Sequence, residues 1–94
     1  GRTVSLHLNS GWNLISVPVE PNDPAVAAVL ADPTQRGATV HSGPVWTWDG
    51  TGYTEASTFE AFRGYWVFCL EAVDIQVRGD LPQNSNRTLH AGWN

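Results

Sequence analysis

A tight-turn signature between two aromatic segments constrains the fold of this chain more than any other feature. Residues 46–55 read Trp-Thr-Trp-Asp-Gly-Thr-Gly-Tyr-Thr-Glu. Asp-Gly followed by a second glycine supplies the positive φ angles that a tight chain reversal needs. The segment therefore predicts a β-hairpin in which Trp48 faces Tyr53 and Trp46 faces Glu55. Because side chains alternate along a strand, Trp46, Trp48 and Tyr53 are expected to share one face.

Apolar patterning predicts strands in most of the remaining chain. Residues 4–8 and 73–78 alternate apolar with polar side chains, which is typical of strands with one buried face. Residues 12–19 predict another strand, which prolines end. The apolar run 65–70 predicts a strand that is buried on both faces. Strands this short, separated by turn signals, indicate an all-β domain: a small antiparallel β-sandwich or a partly open barrel.

One short helix is expected among the strands. It is predicted over residues 25–30, with Asp23 as the N-cap and Pro24 at the first helical position. Cys69 lies in an apolar run, so we expect a buried, unreactive thiol. Trp12 and Trp93 are also assigned to the interior. The other predicted core residues are Leu6, Leu14, Ile15, Trp66, Phe68, Ile75 and Val77.

Length and composition exclude several classes of protein. The chain has 94 residues, which suits one domain, and a single cysteine, which forms no internal disulfide. A formal net charge of −4 argues against a nucleic-acid partner, because phosphate neutralisation needs basic groups. No apolar run approaches the roughly 20 residues of a membrane span, so membrane insertion is not expected. Five tryptophans are many for so short a chain, and they indicate that aromatic side chains have a structural or binding role in this domain.

A partial repeat links the two ends of the sequence. Residues 8–13 read Leu-Asn-Ser-Gly-Trp-Asn, and residues 89–94 read Leu-His-Ala-Gly-Trp-Asn. The interpretation is a tandem array, with one β-module over 1–83 and the first strand of a following repeat over 84–94. That segment, including Leu89 and Trp93, is alternatively a strand-exchange tail that pairs with the sheet edge of another copy. The last strand of its own domain is a further possibility.

Three aromatic motifs give the chain a family resemblance. Gly-Trp-Asn-Leu-Ile-Ser-Val-Pro at 11–18, Val-Trp-Thr-Trp-Asp-Gly at 45–50 and Gly-Tyr-Trp-Val at 64–67 occur in that order. They resemble a β-module that is found, often in tandem, in large exported bacterial surface proteins. The resemblance implies an extracellular, non-catalytic domain on the bacterial cell surface. The family commonly has a glycine shortly before Gly-Tyr-Trp-Val, where this chain has Phe62 and Arg63.

The residues themselves do not indicate an enzyme or a cofactor protein. No nucleophile–base pair, phosphate-binding glycine loop or zinc-type spacing of His7, His41 and His90 is present. Asp23 and Asp49 are explained by capping and turn roles. We therefore expect no catalytic residues, no cofactor and no metal site.

Two functions remain open at this stage. The first is a structural or assembly module of a surface filament, whose partners are copies of itself or neighbouring repeats. The alternative is a carbohydrate-binding module that uses Trp46, Trp48 and Tyr53 as a flat platform for sugar rings, with Glu55 as a polar handle. The competing interpretation of these aromatic residues, favoured by their large burial energy, is that they fill the core.

Overall fold

Two antiparallel sheets enclose the interior of the protein. The computed structural model describes residues 1–81, and these confirm a small all-β fold with one short helix. The elements are β1 (Arg2–Leu8), β2 (Gly11–Ser16), β3 (Glu20–Pro21), α1 (Val26–Val29), β4 (Trp46–Trp48), β5 (Tyr53–Glu55), β6 (Gly64–Cys69) and β7 (Val73–Asp80). One sheet has the strand order β1-β7-β3 and the other β2-β6-β4-β5. Within residues 1–81, no helix is long and apolar enough to cross a membrane.

A side chain from β2 stabilises the turn at which the chain passes from one sheet to the other. Gly11 has a φ of 94°, which favours glycine. The buried Asn13 amide donates to the carbonyl oxygens of Asn9 (2.9 Å) and Gly11 (3.1 Å), and its Oδ1 accepts from the Asn9 N–H (2.8 Å). The Gly-Trp-Asn sequence thus places glycine and asparagine where the turn requires them, and leaves the tryptophan between them facing outward.

The central hairpin forms as the sequence predicts. Trp48 pairs with Tyr53 and Trp46 with Glu55 across β4 and β5. The Asp49 carboxylate accepts hydrogen bonds from the turn amides of Thr51 (2.8 Å) and Gly52 (2.9 Å). These bonds favour the charged form and lower the pKa of Asp49.

Side chains from both sheets fill the interior. The buried apolar residues are Leu8, Val17, Val19, Val29, Leu30, Val45, Phe59, Tyr65, Val67, Cys69, Ile75 and Val77. The predicted core positions Ile75 and Val77 are therefore confirmed, while Leu6 and Ile15 pack against this core at partial burial. Cys69 is buried as expected, and burial raises the pKa of its thiol.

Several predicted core residues lie on the other side of their sheet. Leu14 is 62% exposed and Trp12 is 56% exposed, while Trp66 and Phe68 are half-buried on the solvent side of β6. The prediction that β6 is buried on both faces was wrong, because only Tyr65, Val67 and Cys69 point into the core. A continuous apolar run therefore alternates in burial like the other strands, and its outward residues are aromatic.

The helix and the second strand are shorter than predicted. The helix covers Val26–Val29, and Ala25 occupies the N-cap position without a side-chain hydrogen bond. Asp23 instead accepts the Ala25 N–H at 3.2 Å, so it closes a local turn and is not the N-cap. β2 ends at Ser16, where the strand was predicted to continue to residue 19.

Candidate functional site

Four strands present an aromatic surface to solvent. We call the solvent side of the sheet β2-β6-β4-β5 the outer face. Its side chains are Trp12, Leu14 and Ser16 on β2, Trp66 and Phe68 on β6, Trp46 and Trp48 on β4, and Tyr53 and Glu55 on β5. The hairpin aromatics therefore do not fill the core, and the interpretation that favoured this was wrong.

The strand register brings the central residues of the outer face into one row. Leu14 pairs with Trp66, Trp66 with Trp46, and Trp46 with Glu55. Directly opposed side chains on neighbouring strands have Cβ atoms about 5 Å apart. The two central tryptophans are thus immediate neighbours, with an aliphatic side chain at one end of the row and a carboxylate at the other.

A shallow groove of about 650 Å³ lies across this row. One aromatic side chain from each strand lines it: Trp12, Trp66, Trp46 and Tyr53. We call these four residues the aromatic trough. Trp46 and Trp66 are half-buried and form its floor, whereas Trp12 (56% exposed) and Tyr53 (57% exposed) stand above the sheet as walls.

Aromatic pairs at opposite corners fix the two walls. Trp48 and Tyr53 have ring centroids 5.1 Å apart with an interplanar angle of 75°. Trp12 and Phe68 have centroids 5.3 Å apart at 66°. These edge-to-face contacts stabilise the exposed rings against rotation. Because the paired rings are far from coplanar, the hairpin aromatics do not form the predicted flat platform.

Hydrogen bonds on the opposite side of β4 hold the floor of the trough in place. The buried Thr47 hydroxyl donates to the Gly64 carbonyl at 2.9 Å and accepts from the Arg63 Nε–H at 3.0 Å. The same guanidinium donates to the Trp48 carbonyl (3.3 Å) and forms an ion pair with Glu60 (3.4 Å). These contacts connect β4 to the segment that leads into β6, and so fix the relative positions of the two floor tryptophans.

Glu55 lies at the rim of the trough and also lines a second cavity. Its side chain is exposed, and within residues 1–81 its carboxylate makes no ion pair and no side-chain hydrogen bond. The second cavity has a volume of about 400 Å³. Its polar lining includes Ser57 and His41, and burial lowers the pKa of His41. Glu55 therefore lies between the two depressions, since it opposes Trp46 of the trough and lines the second cavity.

Two further ionisable groups, His7 and Asp32, have local structural partners. His7 Nδ1 lies 2.6 Å from Asp74 Oδ1, and His7 Nε2 lies 3.2 Å from Asn9 Oδ1. Asp32 accepts hydrogen bonds from the N–H and hydroxyl of Thr34, which lower the pKa of Asp32. Across the part of the chain that the structure describes, no three His, Cys, Asp or Glu residues are grouped as metal ligands.

Sequence reasoning identified half of the trough and missed the other half. Trp46 and Tyr53 were predicted to share a solvent-facing site in the binding hypothesis, whereas Trp12 and Trp66 were assigned to the core. The signal that would have found Trp66 is strand periodicity, since it lies an odd number of residues from the buried Tyr65, Val67 and Cys69. Leu89 and Trp93, the predicted self-association residues, lie outside the described residues.

A scan against protein-family models matched none of them, and searches of curated proteins and of solved structures also found no match.

Proposed function

We propose that this chain is a non-catalytic module of an exported bacterial surface protein and that it binds polysaccharide through the aromatic trough. The observation that carries the proposal is the exposure of aromatic side chains from all four strands on one face of a small domain. Contiguous apolar surface of this kind marks a binding site in soluble proteins. The three sequence motifs that resemble bacterial surface modules support the exported location.

The trough matches the chemistry of a sugar chain. One side of a pyranose ring presents C–H groups that pack against an aromatic face, while its hydroxyl groups remain in water. A half-buried floor of Trp46 and Trp66 offers such faces, and the walls Trp12 and Tyr53 restrict sideways movement. A volume of about 650 Å³ is within the range of small-ligand sites, so a short stretch of polysaccharide fits.

Titration with soluble polysaccharides tests the proposal. Chains of different chemistry, such as laminarin, hydroxyethylcellulose, chitin oligosaccharides and their deacetylated forms, are added while tryptophan emission is followed. We expect at least one chain to bind and the exposed-wall variants Trp12→Ala and Tyr53→Ala each to weaken it about tenfold, a loss of roughly 1.4 kcal/mol. Phe62→Ala is the matched control, because Phe62 is an exposed aromatic residue that does not line the trough. Equal weakening by the control, or no binding to any polymer, would overturn the proposal.

A second candidate function, assembly by strand addition, is favoured by the sheet edges. Within residues 1–81, β1 and β2 each have a neighbouring strand on one side only, and the two strands follow each other in the chain. β2 contains neither a charged residue nor a proline, which are the usual protections of an edge strand. We propose that such an edge accepts a strand from another copy or from a neighbouring repeat, as expected for a filament or surface array.

Light scattering separates this second candidate from simple ligand binding. The full chain is compared with a variant that lacks residues 84–94, the segment in which the strand-exchange hypothesis places Leu89 and Trp93. Oligomers that disappear on deletion support assembly through this segment. A monomeric full chain at high concentration, or oligomers that survive the deletion, contradicts it.

A further inference from the structure

We propose that the trough selects polysaccharides that carry amino sugars, with the protonated amine held between the Glu55 carboxylate and the Trp46 ring. This inference rests on the proposed polysaccharide binding and adds the charge class of the ligand. It assigns Glu55 a role in specificity that is separate from the packing of sugar rings on the trough.

The position of Glu55 provides the first argument. It directly opposes Trp46 across β4 and β5, so a cation next to the carboxylate is also within reach of the indole ring. A cation is attracted to the face of an aromatic ring, and most strongly to tryptophan. Because the Glu55 carboxylate makes no ion pair or side-chain hydrogen bond with any residue in 1–81, no internal contact has to be broken when an amine binds.

The charge distribution provides the second argument. Among residues 1–81, Glu55 is the one charged side chain on the outer face, whose other members are aromatic, aliphatic or hydroxyl residues. Arg63 touches the Trp48 carbonyl from the opposite side of β4, and Glu60 neutralises its charge. The chain as a whole has a formal net charge of −4, which attracts polycations and repels acidic polymers. Uronic-acid polymers would therefore place a carboxylate against Glu55 without compensation.

Space next to Glu55 provides the third argument. The second cavity, of about 400 Å³, is lined by Glu55 together with Ser57 and His41. Because Glu55 directly opposes Trp46, a sugar ring that packs on Trp46 has this space on the far side of the carboxylate for a substituent. An amine placed there has the carboxylate as its acceptor and a hydroxyl nearby.

A comparison of matched oligosaccharides tests the inference. Deacetylated glucosamine oligomers and N-acetylated oligomers of equal length are titrated at a pH at which the amine is protonated, together with oligogalacturonate. We expect the deacetylated chain to bind about fivefold more tightly than the acetylated chain, and oligogalacturonate to bind least. Glu55→Gln should abolish this preference. Glu71→Gln is the control, because it removes the same charge from an exposed carboxylate in the turn between β6 and β7.

The outcomes distinguish this inference from the function on which it rests. If none of the polymers binds, the proposed function fails. If acetylated and deacetylated chains bind equally, or if Glu71→Gln reduces the preference as much as Glu55→Gln, the charge selection is overturned while polysaccharide binding stands. In a competition experiment, a lysine-rich peptide and unlabelled glucosamine oligomer are each added to the complex with bound glucosamine oligomer. If the peptide displaces the bound oligomer at the lower concentration, the site belongs to a protein partner and the inference is overturned.

Discussion

At Phe62 the backbone has a left-handed conformation, with a φ of 64°. This conformation costs a residue with a β-carbon about 1–2 kcal/mol relative to glycine. Glycine adopts this conformation without that cost, so Phe62 lies at a position where the backbone favours a residue without a side chain. The Phe62 N–H still donates to the Val17 carbonyl at 2.8 Å, which holds the strained residue in place.

Relief of this strain can be measured with a pair of variants at the same position. Phe62→Ala removes the exposed ring and keeps the strain, whereas Phe62→Gly removes both. We expect the glycine variant to be more stable than the alanine variant by about 1 kcal/mol, measured as the free energy of unfolding in urea. Equal stabilities, or a more stable alanine variant, would show that the turn does not carry the strain.

At the scale of elements, the pairing of β1 with β7 includes an ionisable pair. His7 directly opposes Asp74, and the contact of 2.6 Å raises the pKa of His7 above its ordinary value of 6.5. A raised folded-state pKa means that the native state binds the proton more tightly than the unfolded chain. The resulting stabilisation is complete below pH 6.5 and is lost as the pH rises through the folded-state pKa of His7.

Replacement of the carboxylate should remove this pH dependence. We expect the urea midpoint of the wild-type chain to exceed that of Asp74→Asn at acidic pH, and the difference to shrink as the pH rises through the His7 titration. Unfolding curves collected across this range provide the measurement. A difference between the two proteins that stays constant with pH would contradict a contribution from His7 protonation.

The contact between β7 and β3 depends on a residue without a side chain. Gly79 is buried, and a β-carbon at this position would collide with the backbone of Glu20 and Pro21. Backbone atoms cannot move aside without loss of the β3–β7 pairing.

Gly79→Ala should therefore lower the free energy of unfolding by at least about 1–3 kcal/mol. Gly52→Ala is the matched control, because a β-carbon there meets nothing within 4 Å and the φ of Gly52 is not positive. Thermal or urea unfolding of the two variants gives the comparison. Similar losses in both would contradict the close approach of β3.

At the scale of the whole molecule, the two sides of the sheet β2-β6-β4-β5 have different roles. The inner side of β2 and β6 contributes to the core, while the outer side carries the trough. Leu14 and Ile75 illustrate the difference, since both were predicted to be core residues. Leu14 lies on the outer face, and Ile75 is buried between the sheets.

Two substitutions should show which side of the sheet contributes to stability. Leu14→Ser should change the free energy of unfolding by less than about 0.5 kcal/mol, because the side chain is largely in water. Ile75→Ala should cost about 2–5 kcal/mol, because it leaves a cavity in the core. Chemical denaturation gives both values. A larger loss for Leu14→Ser than for Ile75→Ala would place Leu14 in the interior and contradict the outer face.

Local chemistry made the turns and most strand positions predictable from the sequence, whereas the exposure of the aromatic face was not predictable. The hairpin register followed from the Asp-Gly-Thr-Gly turn, and the fold class from short strands with turn signals. Trp66 and Leu14 were misplaced because apolarity alone does not distinguish a core side from a binding side. That distinction depends on which sheet covers which face, and this is decided by contacts between residues far apart in the chain, such as Val4 with Val77.

The pairing of β1 with β7 also determines when the fold can be completed. Arg2 lies opposite Gly79, so the first strand has no place in a sheet until nearly the whole module has been synthesised. Contacts between such distant positions raise the contact order, and domains dominated by them fold in about milliseconds to seconds. During translation, the uncharged β2 and the aromatic β6 therefore emerge before the core that they pack against is complete. The strands of such a topology are therefore open to wrong pairing for longest while the chain emerges from the ribosome, and protection by a chaperone matters most at that time.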